Sequence, residues 1–128
     1  MDEYVQYIVV RRDLVEQMGV GKTAAQVAHA SMGVILGKDG VSITDNSNVV
    51  EWLSGRFTKL VVYAKSKEKL LNLEKKLDEE GIRTKLIYDS CFTILKPEEE
   101  NGTTLTCMGV IPLKRDEIPK CLKKLRLL

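Results

Sequence analysis

The sequence predicts a mixed α/β fold: a four-stranded sheet, mainly parallel, with helices on both faces in three layers. Three observations point there. Short apolar runs rich in β-branched residues alternate with longer segments of helical period, the mark of a layered sheet. The order is β-α-(α)-β-α-β-β-α, so two helical crossovers make the first three strands parallel. The last two strands are joined by a short link containing PEEENG (97–102), which predicts an antiparallel return. The 128 residues are the size of one domain, taken as 1–128, and 44% of them are hydrophobic, enough for a core.

The elements follow in chain order. Tyr4 to Val10, YVQYIVV, is a strand whose near-continuous apolar character predicts burial on both faces. A loop runs from Arg11 through Met18 to the glycines Gly19 and Gly21. The alanine-rich stretch from Thr23 to Leu36 predicts a helix, with Ala24, Val27, Ala28, Ser31, Val34 and Ile35 toward the sheet and small residues permitting close approach. Residues 37–47, GKDGVSITDNS, have turn chemistry and predict an exposed loop. A short helix over 48–54 carries Trp52 and Leu53. Lys59 to Ala64 is the second strand. Ser66 caps a helix from Lys67 to about Glu80, with Leu70, Leu73 and Leu77 on its apolar face and Gly81 to stop it. Thr84 to Tyr88 and Leu105 to Ile111 are the remaining strands, and a last short helix covers 117–124.

Composition narrows the function classes. Twenty basic and 18 acidic side chains give a net charge of +2, so any electrostatic footprint must come from arrangement. Cys91, Cys107 and Cys121 are odd in number and widely spaced, which argues against a disulfide framework. With one histidine and no C-x-x-C pair, no metal site and no cofactor are expected. The N-terminal MDEYVQYIVVRRD lacks the features of a signal peptide, and no apolar run reaches a membrane span. The expectation is a cytoplasmic protein without membrane contact.

Two segments carry the chemistry. GVGKT at 19–23 invites a nucleotide phosphate loop, but that motif needs a glycine where Glu16 stands, and a carboxylate there would repel phosphate. What the segment does offer is Lys22, Gln26 and His29, which fall within roughly 60° of one another on a helix. They form a polar stripe suited to an anionic or carbonyl ligand, and an ordinary solvated helix face is the competing reading. The second segment is YDSCFT at 88–93, directly after the third strand, where α/β sheets place ligands. Asp89 and Thr93 can orient a water there, or simply serve turn chemistry. Basic clusters occur at Arg11 and Arg12, at Lys65, Lys67 and Lys69, and in the C-terminal KCLKKLRLL, which is the best candidate for a basic patch.

QYIVVRRDL followed by MGVGKTAAQVAHA resembles the opening signature of type-2 peptidyl-tRNA hydrolases, in which a strand ending V-R-x-D-L leads to M-G-K-G-K-x-A-A-Q-x-x-H-A. KLVVYAKSKEKL, IYDSCFT and LTCMGVIP resemble, in order, the second strand and its helix, the D-A-G-x-T turn and the last strand of that family. The C-terminal stretch is also similar to the divergent peptidyl-tRNA hydrolase domain-containing subgroup. The resemblance implies hydrolysis of the ester joining a peptide to tRNA, without metal, with peptidyl-tRNA as partner and a homodimer as assembly. It implies Lys22, Asp89 and Thr93 as catalytic residues, with Gln26 and His29 as substrate contacts; Arg12, in the first basic cluster, is expected as a further substrate contact. Val20 stands in place of the first motif lysine, and Cys91 in place of a glycine, which predicts a different backbone in that turn. These departures keep a second reading open: a module that binds RNA or protein with the same fold but without activity.

Overall fold

A computed structural model describes residues 3–128 of the chain; Met1 and Asp2, which open the acidic N-terminal stretch, lie outside the described residues. The sheet is built from β1 (Tyr4–Arg11), β2 (Lys59–Ala64), β3 (Thr84–Asp89), β4 (Thr104–Val110) and a two-residue β5 (Leu113–Lys114). The helices are α1 (Val15–Ile35), α2 (Ser47–Ser54), α3 (Lys67–Glu79) and α4 (Lys120–Lys123).

The order across the sheet is β2-β1-β4-β3, with β5 also on β1. The mixed α/β class is as the sequence predicts. The balance of pairings is not: among the described residues only β1 and β2 form a parallel pair, and the β1–β4, β1–β5 and β3–β4 pairs are antiparallel. β1, β2 and β3 do all run the same way. β4, however, returns between β1 and β3, so they never become neighbours. Alternation of strands and helices reports direction, while the slot that a returning strand takes depends on pairing contacts made across the sheet. β4 is buried along its whole length and β1 from Val5 to Arg11, which explains their unbroken apolar runs.

α1 covers one face of the sheet over Ile8, Val10 and Cys107, and α3 covers the other with Leu70, Leu73 and Leu77. Ser66 caps α3 by accepting from the Lys69 N–H at 3.2 Å. Gly81, in the left-handed region at φ 74°, ends it. α2 is capped by Asn46, and its Trp52 indole donates to the Thr58 carbonyl at 2.8 Å.

α1 departs from expectation in two ways. Residues 12–18, predicted as loop, form a 3-10 turn and a first helical turn. The helix is then interrupted at Gly19, whose φ of 75° and ψ of 176° lie in a region open essentially to glycine alone, and it resumes at once. The face is also rotated: Ala24 and Ala28 are exposed, whereas Thr23, Gln26 and Ala30 are buried with Ser31, Val34 and Ile35. Small and polar residues line the buried side because the helix lies almost on the sheet backbone. A Cβ at Gly109 of β4 would sit 2.2 Å from the Ala30 carbonyl oxygen.

The exposed loop at 37–46 is ordered by Asp39, whose carboxylate accepts from the Val41 and Ser42 N–H groups and the Ser42 hydroxyl. Those hydrogen bonds, the Ser42 hydroxyl first, lower its pKa to about 2. At the C-terminus the predicted helix shrinks to α4, after a 3-10 turn at Arg115–Glu117. The chain then lies along the free edge of β2, with Tyr63 N–H donating to Arg126 O and Leu128 N–H to Val61 O.

Candidate active site

Asp89 ends β3, Lys22 and Gln26 lie one turn apart on α1 after its break, and Thr93 follows in the loop beyond β3. Because α1 packs on β3 and β4, these segments converge at the carboxyl end of β3. Lys22 Nζ sits 3.2 Å from Asp89 Oδ1 and donates to Thr93 Oγ1 at 3.0 Å. Gln26 Nε2 approaches the same Asp89 oxygen at 3.4 Å. The other carboxylate oxygen accepts from the Cys91 N–H at 3.0 Å. The Lys22 and Asp89 side chains are only 16% and 11% exposed, so their attraction is screened less than that of a surface pair.

The support behind this cluster is a β-bulge that is not legible in the sequence. Ile87 faces Cys107 and Tyr88 faces Leu105, which leaves Thr106 as the extra residue on β4. Its hydroxyl donates to Gln26 Oε1 at 2.6 Å and fixes the orientation of the Gln26 amide toward Asp89. Thr106 is fully buried, and no motif singled it out.

A second brace is Arg11. It is 3% exposed, and its guanidinium reaches Asp13 at 2.7 Å, Glu98 at 2.6 Å and the Leu105 carbonyl at 3.0 Å. It thereby joins the segment entering α1 to the loop carrying Thr93. Burial alone would lower the guanidinium pKa, but the hydrogen bonds and charges of Asp13 and Glu98 outweigh it and raise it.

The remaining candidates stand apart. The His29 side chain is exposed and forms no hydrogen bond or ion pair among the described residues. Arg12 is exposed and stacks over the Tyr63 ring, 4.6 Å from its centroid, toward β2. The turn at Cys91 corrects an expectation. Cys91 has φ 62°, the left-handed conformation that glycine would adopt, so the replacement does not redirect the backbone. Its thiol makes contacts with the Asp89 carbonyl and Thr104 Oγ1.

Chemically, the cluster presents an ammonium, a carboxylate and a hydroxyl beside solvent. Lys22 has three N–H donors and spends two of them on Asp89 and Thr93, leaving one for an incoming oxygen. Among the described residues no three His, Cys, Asp or Glu side chains group as metal ligands would, and no helix is long and apolar enough to cross a membrane.

The family described as Peptidyl-tRNA hydrolase PTH2 matches residues 4–128. The peptidyl-tRNA hydrolase of Methanopyrus kandleri is 38% identical, over 98% of both chains. That of Methanococcus maripaludis is 37% identical over 98% of this chain and 99% of its own. That of Methanothermobacter thermautotrophicus is 32% identical over 96% and 98%.

Proposed function

The chain belongs to the Peptidyl-tRNA hydrolase PTH2 family, and from that premise we propose that Lys22, Asp89 and Thr93 form the centre at which it cleaves peptidyl-tRNA. The protein is an ester hydrolase: it breaks the bond between peptide and tRNA and releases free tRNA. The observation that best supports the residue assignment is the Lys22 ammonium held between Asp89 and Thr93 at hydrogen-bonding distance.

Hydrolysis needs a directed water and a partner for the oxyanion. Asp89 accepts a hydrogen bond from the water and aims its oxygen at the ester carbonyl. As the new C–O bond forms, negative charge grows on the carbonyl oxygen, and the free Lys22 N–H meets it. The intermediate collapses with loss of the ribose oxygen. The proton given up by the water ends on that oxygen, with the Thr93 hydroxyl as relay. The products are the 3′-terminal hydroxyl of tRNA and a peptide carboxylic acid, which then loses its proton to solvent. Gln26 holds Asp89 in position, and His29 and Arg12 lie where they can meet more distant parts of the substrate. No step calls on a metal or cofactor.

The non-enzymatic reading is disfavoured. Its grounds were Val20 and Cys91, and Cys91 keeps the glycine-like turn that presents its N–H to Asp89. Activity on purified peptidyl-tRNA by the wild type and by Lys22→Ala and Asp89→Asn tests the assignment; equal turnover in all three would remove it. We also propose a homodimer acting in the cytoplasm. The exposed Val50, Leu53 and Phe57 on and after α2 are apolar surface that such an association would cover. A single monomeric species in sedimentation at micromolar concentration would count against the dimer.

A further inference from the structure

A cleft of about 590 Å³ lies away from the Lys22–Asp89 cluster, between α3 and the C-terminal segment, with the end of β2 as its floor. Five cationic side chains line it: Lys65, Lys69 and Lys76 from the α3 side, and Lys124 and Arg126 from the tail. Among the described residues no acidic one lines it, and none of the five side chains forms an ion pair. In a chain whose net charge is only +2, this is a marked local concentration of one sign.

α3 looks evenly mixed in sequence, but the helix sorts its charges. Lys69 and Lys76 stand two turns apart on the cleft side, roughly 10 Å along the axis. Glu68 and Glu74 fall on the neighbouring face together with Lys75. Unpaired cations facing one another across a concavity repel, and a polyanion entering between them relieves that repulsion while releasing its own counterions. The cleft is also connected to the catalytic end of the sheet. Tyr63 forms part of its wall, and the Arg12 guanidinium stacks on that ring. β2 and β3 lie three strand spacings apart, roughly 14 Å, and both end at the same edge of the sheet. That is a span of a few nucleotides.

We infer that this cleft holds the phosphodiester backbone of the tRNA acceptor end while the 3′-ester lies at Lys22 and Asp89. The inference rests on the peptidyl-tRNA reading for the identity of the polyanion. Its geometry puts the sugar–phosphate chain across Tyr63 and Arg12, with cations of α3 and the tail on either side. Tyr63 and Asn72 supply one aromatic and one amide side chain to the lining, too few to read a run of bases; the contact sets affinity and register.

The test uses the full-length protein with Lys69→Gln/Lys124→Gln, against the charge-matched control Lys38→Gln/Lys75→Gln. Both pairs are solvent-accessible, and melting curves verify folding. Binding of deacylated tRNA is measured across a salt series, and KM and kcat are measured on peptidyl-tRNA and on a short N-blocked aminoacyl-adenosine. Two lost phosphate contacts should make the log–log salt slope shallower by about 1.5. KM for peptidyl-tRNA should rise severalfold in the cleft variant alone, with kcat and the short-ester kinetics unchanged. Equal slopes for the cleft variant and control would overturn the inference. So would saturable binding of inorganic phosphate in the cleft with no change in the tRNA slope, which would mark a small-anion pocket. Failure of the wild type to cleave either ester would instead strike at the hydrolase reading, and the binding slope would still decide this one.

Discussion

At the scale of single residues, the account stands on how Asp89 is held. Three groups converge on its carboxylate: the Lys22 ammonium, the Gln26 amide and the Cys91 N–H. Lys22→Ala removes the proposed oxyanion partner, and kcat on peptidyl-tRNA should fall by about 10²–10³. Thr106→Val should act at one remove. It takes away the hydroxyl that fixes Gln26, leaves a buried acceptor unpaired at a cost of about 1–3 kcal/mol, and so lowers kcat with KM preserved. Thr106→Ser keeps the hydroxyl and should restore kcat; if it does not, Thr106 serves packing alone. Lys22, Gln26, Asp89 and Thr93 could be picked from the chain because the family resemblance singles out positions whose types and spacing alone also fit a solvated face or a turn. Thr106 could not, because its role comes from a bulge whose register is set by two strands at once. Cys91 pays a backbone cost of about 1–2 kcal/mol in the left-handed region. Cys91→Gly should therefore melt at or above the wild-type temperature with activity intact, and Cys91→Val should melt below it.

At the scale of elements, the controlling contact is α1 against β4. The Ala30 carbonyl occupies the space that a side chain at Gly109 would need, and both partners are backbone, so neither yields cheaply. Gly109→Ala should lower stability by about 1–3 kcal/mol or more, and it should also lower kcat, because a displaced α1 carries Lys22 and Gln26 away from Asp89. Loss of stability with kcat untouched would mean that the site tolerates movement of the helix. The alanine-rich composition made close packing legible from the sequence. The rotation of the buried face was not legible, because a helix lying this near the backbone buries small and polar residues and breaks the usual apolar periodicity. The interruption at Gly19 was hidden for a similar reason: two glycines read as loop, yet only one residue leaves the helical conformation.

At the scale of the whole molecule, the layered α/β class and most element positions follow from the alternation of strand and helix patterns, while the insertion of β4 between β1 and β3 depends on contacts distant in sequence. The buried core leaves a mark on pH stability. Burial pushes the Cys107 thiol up to about 12, the Thr106 hydrogen bond opposing only in part. The folded protein keeps that proton when the unfolded chain has lost it, so stability is retained below an unfolded pKa near 8.5 and declines as pH rises toward 12. Melting temperatures from pH 8 to 11 should fall less steeply in Cys107→Ala than in the wild type; parallel curves would show that Cys107 does not titrate differently on folding. On the proposed reading, the cleft beside α3 and the site at β3 hold two parts of one long substrate. The most direct measurement of the central claim is release of peptide from purified peptidyl-tRNA, with a chelator present, by the wild type, Lys22→Ala and Asp89→Asn. The account predicts sustained turnover by the wild type and a loss of about 10²–10³ in Lys22→Ala, with a comparable loss in Asp89→Asn. Turnover by both variants at the wild-type rate, or a wild type silenced by the chelator, would contradict it.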